Sequence, residues 1–344
     1  MKMTHGHSKA GEKRMKNRIT NLLCICLLIL LSVLMLVACE NKNSSDASGK
    51  IRVAVITKTT TSKFFMIVFS GAETAASEYN IILTCEGPDN ENDYGKQNEL
   101  ISKAIEDKVD AIVISAIDKD NSTKILEKAQ KKGIHIIVID SGINSDIVEA
   151  RIETDNYDAG RKMALALIKE ENYEGRKIGI VNFNSDSENV LGRESGFKDT
   201  IEMDGRAEIV GRINVDSNVT KAKNGSLDFI DTYPEIDTIV TFNEWTTLGV
   251  GYAIEERDLQ DEIKVIGFDN NVISVAMLES GEIDGLIVQN PYAMGYLGVE
   301  IAYQLIKENT LVETDIITDI MYITRDNLYE QASQEILFPL EEDK

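Results

Sequence analysis

Short runs of branched apolar residues in this chain end repeatedly in a side chain that can hydrogen-bond. Ile137-Val138-Ile139 runs into Asp140-Ser141, Val265-Ile266-Gly267-Phe268 into Asp269-Asn270-Asn271, and Leu286-Ile287-Val288 into Gln289-Asn290. Thr238–Phe242 runs into Asn243-Glu244-Trp245, and Ala111–Ile114 into Ser115. The run that starts at Ile51 gives way to Lys58-Thr59-Thr60-Thr61-Ser62-Lys63-Phe64-Phe65. Carboxylates accept from hydroxyls, and amides and hydroxyls both donate and accept, so such a set suits a ligand rich in hydroxyl groups. Planar, multiply donating Arg193 can bridge two adjacent hydroxyls. An aromatic face such as Phe64 or Phe65 covers the apolar C–H patches of a sugar ring. Taken singly, Asp or Asn after a strand is an ordinary turn former or helix cap. The joint placement is what points to a binding site.

The apolar runs are Ile51–Thr57, Ile81–Cys85, Ala111–Ser115, His135–Ile139, Ile178–Val181, Ile209–Ile213, Thr238–Thr241, Ile263–Phe268 and Gly285–Val288. They are near-continuous rather than alternating, as strands covered on both faces require. Segments with helical spacing separate them, such as Gln97–Glu106, with Ile101, Ala104 and Ile105 on one stripe. Repeated β-α units of this kind give parallel sheets sandwiched by helices, which bind ligands at the carboxyl ends of their strands. Ile152–Asn156 follows four such units and precedes several more, so it is read as the first crossover between two similar α/β domains. A chain of 344 residues accommodates both.

A 43% hydrophobic content supports buried cores, and 27% charge with only 4 prolines argues against wholesale disorder. The formal net charge is -22. Six basic residues and one acidic one fall in the first 38, so the remainder is more acidic still. Such a polyanion repels phosphate backbones, which excludes nucleic acid as a partner. The basic start, the apolar run Leu22–Val37 and the polar stretch after Cys39 form a targeting segment. Leu36-Val37-Ala38-Cys39 resembles a bacterial lipobox, which implies lipidation of the Cys39 sulfur and cleavage before it. Cys24 and Cys26 would leave with residues 1–38, and Cys85 has no intramolecular partner. Residues 39–50 read as a flexible tether.

Catalysis finds little support. His5 and His7 lie in the targeting segment, and His135 is read as a sheet residue, so a Ser-His-Asp arrangement lacks its base. No cysteine–histidine cluster suggests a metal site, and no G-x-G-x-x-G or P-loop spacing suggests a nucleotide cofactor. Asp89-Asn90-Glu91-Asn92-Asp93 mimics the start of a calcium loop, but Tyr94 stands where that turn needs glycine and Leu100 where it needs glutamate. A cap for the following helix is expected instead. The sequence implies neither an enzyme, nor a metal, nor a cofactor.

From Ile51 to about Asn327 the chain resembles the type I periplasmic sugar-binding proteins, in particular their ribose-binding branch. The matching stretches are Lys63-Phe64-Phe65, Ile139-Asp140, Thr154–Gly160, Arg193-Glu194-Ser195-Gly196-Phe197, Phe242-Asn243-Glu244, Gly267-Phe268-Asp269 and Val288-Gln289, in the family's order and spacing. The resemblance implies two doubly wound α/β domains joined by a three-segment hinge that closes on ligand. It implies an N-terminal domain of 51–154 plus 290–319 and a C-terminal domain of 155–289 plus 320–330; residues 331–344, acidic with a few apolar residues, read as a tail packed loosely on the surface. It also implies stacking by Phe64 and Phe65, and hydrogen bonding by Asp140, Arg193, Asn243, Asp269 and Gln289. Ser62, Ser115, Ser141 and Ser217 stand where the ribose pattern has larger groups, which implies a wider pocket with fewer charge-assisted contacts and a hexose, polyol or modified sugar rather than ribose. Trp245, the only tryptophan, is a candidate replacement stacking face. Lys58 resembles the corresponding position of the branch that binds the furanone autoinducer-2.

The resemblance further implies a monomeric substrate-binding lipoprotein on the outer face of a bacterial cell membrane, with an ABC-transporter permease as partner. A sensor lipoprotein feeding a membrane histidine kinase or chemoreceptor shares the binding and differs in output. A repressor of the lactose-repressor type shares the fold, but the lipid signal takes the place of its DNA-binding helices.

Overall fold

The computed structural model describes residues 49–183, 188–216, 218–308 and 313–339. Cys39 with its targeting segment, and Ser217, lie outside the described residues. From Ile51 the chain builds one lobe from Arg52–Ile56 (β1), Lys63–Glu78 (α1), Ile82–Glu86 (β2), Tyr94–Glu106 (α2), Ala111–Ile114 (β3), Thr123–Gln130 (α3), His135–Ile139 (β4) and Ala150–Glu153 (β5). It crosses over and repeats the plan with Asn156–Ile168 (α4), Lys177–Phe183 (β6), Glu188–Asp204 (α5), Glu208–Val215 (β7), Val219–Thr232 (α6), Thr238–Thr241 (β8), Glu244–Arg257 (α7), Lys264–Phe268 (β9), Val272–Ser280 (α8) and Gly285–Val288 (β10). Pro291–Tyr303 (α9), a π-helical turn Gln304–Glu308 and Asp315–Ile317 (β11) return to the first lobe, and Met321–Ile323 (β12) and Gln331–Leu337 (α10) complete the second.

The sheets have the orders β11-β5-β4-β3-β1-β2 and β12-β10-β9-β8-β6-β7. Every pairing is parallel except β10 with β12, where Leu286 faces Ile323 and Val288 faces Met321. Each lobe thus carries the same doubly wound order, whose direction reverses between β1 and β3 and again between β6 and β8. Ligand clefts form at such switch points, outside the carboxyl ends of the strands. Both faces of each sheet are sealed by apolar clusters, so β1, β3, β4 and β8–β10 are almost wholly buried. The sequence reading misses β5, β11 and β12, which are partly exposed and, unlike the equally short β3, β8 and β10, form no continuous buried apolar run.

Two helix crossings fix where the cleft walls stand. A Cβ on Gly160 of α4 would lie 1.9 Å from the carbonyl oxygen of Arg193, and one on Gly196 of α5 2.0 Å from that of Tyr157. In the first lobe Gly71 of α1 and Gly295 of α9 meet the facing backbone in the same way, at 2.1 and 1.9 Å. In each lobe the helix that enters from the other lobe therefore packs backbone to backbone against the helix that follows the lobe's first strand.

The stretch from 331 differs from a loose acidic tail. Leu337 is 2% exposed in the second lobe's core, and Asn270 Nδ2 donates to its carbonyl oxygen at 3.2 Å. Residues 340–344 lie outside the described residues. Cys85 on edge strand β2 is half-buried and unpaired, and burial, with nearby Glu73 and Glu86, pushes its thiol up to about 12. No described helix is long and apolar enough to cross a membrane.

Candidate functional site

The carboxyl ends of the two sheets face each other across a cleft that both lobes line. Lys58, Ser62, Phe64, Phe65, Glu91, Asn92, Ile117 and Asp140 line it from the first lobe. Phe183, Asn189, Arg193, Asn243, Glu244, Trp245, Asp269 and Gln289 line it from the second.

Asp140 stands one residue past β4 with φ 57°, a left-handed conformation that short polar side chains tolerate. Its Oδ2 lies 3.0 Å from Lys58 Nζ and accepts from Ser115 Oγ at 2.7 Å, while Oδ1 accepts from Asn189 Nδ2 of the other lobe at 2.7 Å. Burial alone would raise its pKa. The Lys58 ammonium, the Ser115 hydroxyl and the Arg193 guanidinium outweigh burial and hold it below the usual carboxylate range.

Asp269 holds the matching place past β9, with φ 65°. Gln289 Nε2 donates to its Oδ1 at 2.6 Å. Burial pushes Asp269 up to about 6; Arg193 and Gln289 oppose the rise, and Glu244 and Asp140 add to it. Arg193, 3% exposed, donates from Nε to Asn156 Oδ1 at 2.8 Å, from Nη1 to the Phe242 carbonyl at 2.9 Å and from Nη2 to Gln289 Oε1 at 3.1 Å. Its guanidinium lies 3.9 Å from the centroid of the Phe268 ring. It has five N–H groups, so two remain for the cleft. Burial lowers its pKa against the pull of Asp269, Asp140 and Glu91.

Ser62 caps α1, accepting from Phe64 N at 3.2 Å, and donates to Glu244 Oε2 of the other lobe at 2.8 Å. The Phe64 and Phe65 rings meet edge to face at 5.1 Å. Asn243 both lines the cleft and caps α7, its Oδ1 accepting from Thr246 N at 2.9 Å. Trp245, half-buried, follows it on the same wall.

Ser115 and Ser141 are not among the cleft-lining residues. Ser115 supports Asp140 from behind, and Ser141 Oγ donates to the Ala116 carbonyl at 2.7 Å. Lys58, Glu91, Asn189 and Glu244 stand on the cleft wall itself. Asn189 was detectable in principle, since it precedes Arg193 by four residues and shares its helix face. Glu91 and Asn92 belong to the stretch expected to cap a helix; Asp93 does cap α2, accepting from Lys96 N at 2.8 Å, while its two predecessors line the cleft. His135 sits at the amino end of β4, its Nδ1 3.0 Å from Glu149 Oε1. Among the described residues no group of three or more metal-ligating side chains gathers.

Three crossovers run side by side beneath the cleft. Thr154 Oγ1 donates to Gln289 Oε1 at 2.7 Å, and Thr318 N donates to the Glu153 carbonyl at 2.9 Å. Gln289 thereby ties the crossovers to both Arg193 and Asp269.

Comparison with known proteins yields one family and many solved relatives. The periplasmic binding protein domain matches residues 53–310. A D-ribose/D-allose-binding protein of Pseudomonas aeruginosa is 24% identical over 82% of this chain and 92% of its own length. A carbohydrate transporter solute-binding protein of Agrobacterium radiobacter, solved with D-arabinose, is 30% identical with a TM-score of 0.80, covering 85% of this chain and 100% of its own. An ABC transporter solute-binding protein of Agrobacterium vitis, solved with D-fucose, is 29% identical with a TM-score of 0.79, covering 83% and 100%.

Proposed function

The chain belongs to the periplasmic binding protein family, as a non-enzymatic type I sugar-binding protein of the ribose-binding-like branch, and on that premise we propose that it captures a sugar or sugar-like solute outside the cytoplasm and delivers it to an ABC transporter. One juxtaposition carries this reading. Asp140 and the Phe64–Phe65 pair on one lobe face Arg193, Asn243 and Asp269 on the other across a single cleft. That arrangement offers stacking, two carboxylates and a guanidinium to one polyhydroxylated molecule.

Ligand bridging the walls closes the lobes about the three crossovers, which act as the hinge. The cross-lobe bonds Ser62–Glu244 and Asn189–Asp140 hold the closed form. Closure also brings together a second groove, lined by Lys63 and Ile67 from the first lobe and Asn270, Val272 and Phe338 from the second. A groove made by both lobes reports the closed state, and we assign it to the membrane permease. Cys39 carries the lipid that keeps the protein at the membrane. Replacing it with Ala is expected to abolish incorporation of a labelled fatty acid and release the protein from the membrane fraction.

A thermal-shift panel of monosaccharides and polyols tests the binding. At least one is expected to raise the melting temperature by several degrees through ligand linkage. Arg193→Ala and Asp269→Ala are expected to abolish that rise. A response to amino acids or nucleosides and to no sugar would refute the specificity.

A further inference from the structure

The cleft described above contains more negative charge than a neutral sugar can match. Its walls carry the carboxylates of Glu91, Asp140, Glu244 and Asp269 against the two cations Lys58 and Arg193. Lys58 and Asp140 satisfy each other at 3.0 Å. Arg193 spends its bonded N–H groups on neutral oxygens of Asn156, Phe242 and Gln289. Among the described residues Glu244 is held only by neutral donors, Ser62 Oγ and Asn271 Nδ2, both at 2.8 Å.

Among the described residues three acceptors remain open. Half-buried Glu91 accepts no hydrogen bond and enters no ion pair among the described residues. Asp269, 8% exposed, has one oxygen bonded by Gln289 and the other unbonded. Asn189 Oδ1 is buried and accepts nothing. Burial pushes Glu91 up to about 7; Lys58 opposes the rise, and Asp140, Glu244 and Asp269 reinforce it. A carboxylate in such surroundings takes up a proton or a cation.

Building on the sugar-capture reading, we propose that the solute carries a protonated amine, as an amino sugar or amino polyol does, and that Glu91 holds that amine with Asp269 and Glu244 close by. An ammonium brings three donors and one positive charge to a wall that has open acceptors and surplus negative charge. The polyhydroxylated remainder keeps the contacts to Asp140, Arg193 and Asn243. Among the described residues no group of three or more metal-ligating side chains gathers at this wall.

Titration calorimetry of the full-length protein at pH 7.5 tests this with matched trios: glucosamine, galactosamine and mannosamine, each beside its neutral parent and its N-acetyl form. At least one amino sugar is expected to bind tenfold or more tightly than both uncharged counterparts. Glu91→Gln, an isosteric change in a loop, is expected to cut that ratio below threefold, with its far-ultraviolet circular dichroism unchanged. Ethanolamine, an amine without the ring, is expected to give no heat. Neutral parents that bind as tightly as the amino sugars, a preference that survives Glu91→Gln, or ethanolamine binding as well as the amino sugars would each overturn the inference while leaving sugar capture intact. Silence from every sugar, neutral and amino alike, would overturn sugar capture and this inference together.

Discussion

Asp140 and Asp269 hold equivalent places, one residue past the fourth strand of each lobe, yet their pKa values move in opposite directions. Lys58 makes the difference: it forms an ion pair with Asp140 at 3.0 Å, whereas among the described residues Asp269 enters no ion pair and feels only the pull of Arg193 and the Gln289 hydrogen bond. The sign of the consequence for stability follows from linkage. Asp269 and Glu91 are raised, to about 6 and about 7, so the folded protein holds their protons more firmly than the unfolded chain. The stability they contribute is full below their unfolded pKa values and lost as pH rises through about 6 and then about 7. Asp140, being lowered, loses its contribution only as pH falls through the acid range below that window. Without ligand, the melting temperature is therefore expected to fall between pH 5 and pH 8, and the Asp269→Asn/Glu91→Gln double variant to flatten that fall. Melting curves across the range check it. Removing the cation from Asp140 with Lys58→Met leaves a buried charge unpaired, and denaturant titration is expected to read a loss of about 3 kcal/mol. Asp140 and Asp269 are legible in the sequence because they close apolar runs. Glu91 is not, since its role comes from the far wall of the cleft rather than from its neighbours in the chain.

The stretches Thr154–Gly160 and Arg193–Phe197 stand out in the sequence as matches to a known pattern, and the helix crossing supplies their physical reason. Gly160 and Gly196 let α4 and α5 touch backbone to backbone, and α5 carries both Asn189 and Arg193 into the cleft. A methyl group at either glycine pushes the helices apart. Gly160→Ala is expected to destabilise by about 1–3 kcal/mol through overpacking, lowering the apparent melting temperature by several degrees. It is also expected to weaken sugar binding, because Arg193 moves with its helix; calorimetry on the folded variant separates the two effects. The apolar runs of the central strands are legible from composition alone. β5, β11 and β12 are not, because these half-exposed strands lack a continuous apolar run and depend on tertiary pairing for their structure.

At the scale of the whole molecule, two copies of one doubly wound plan face each other, and three crossovers connect them. The repeated β-α pattern makes that doubling legible, whereas the cross-lobe contacts join residues more than 40 positions apart and leave no local trace. The groove assigned to the permease includes Val272, a 70% exposed apolar residue. Val272→Glu is expected to leave sugar affinity in solution unchanged and to reduce uptake by cells several-fold, measured with labelled sugar. The central claim is that bound sugar closes the lobes, and small-angle X-ray scattering tests it most directly. Saturating the wild-type protein with the sugar that stabilises it is expected to shrink the radius of gyration, with no change in Arg193→Ala. Stoichiometric sugar binding that leaves the wild-type scattering curve unaltered would contradict the account.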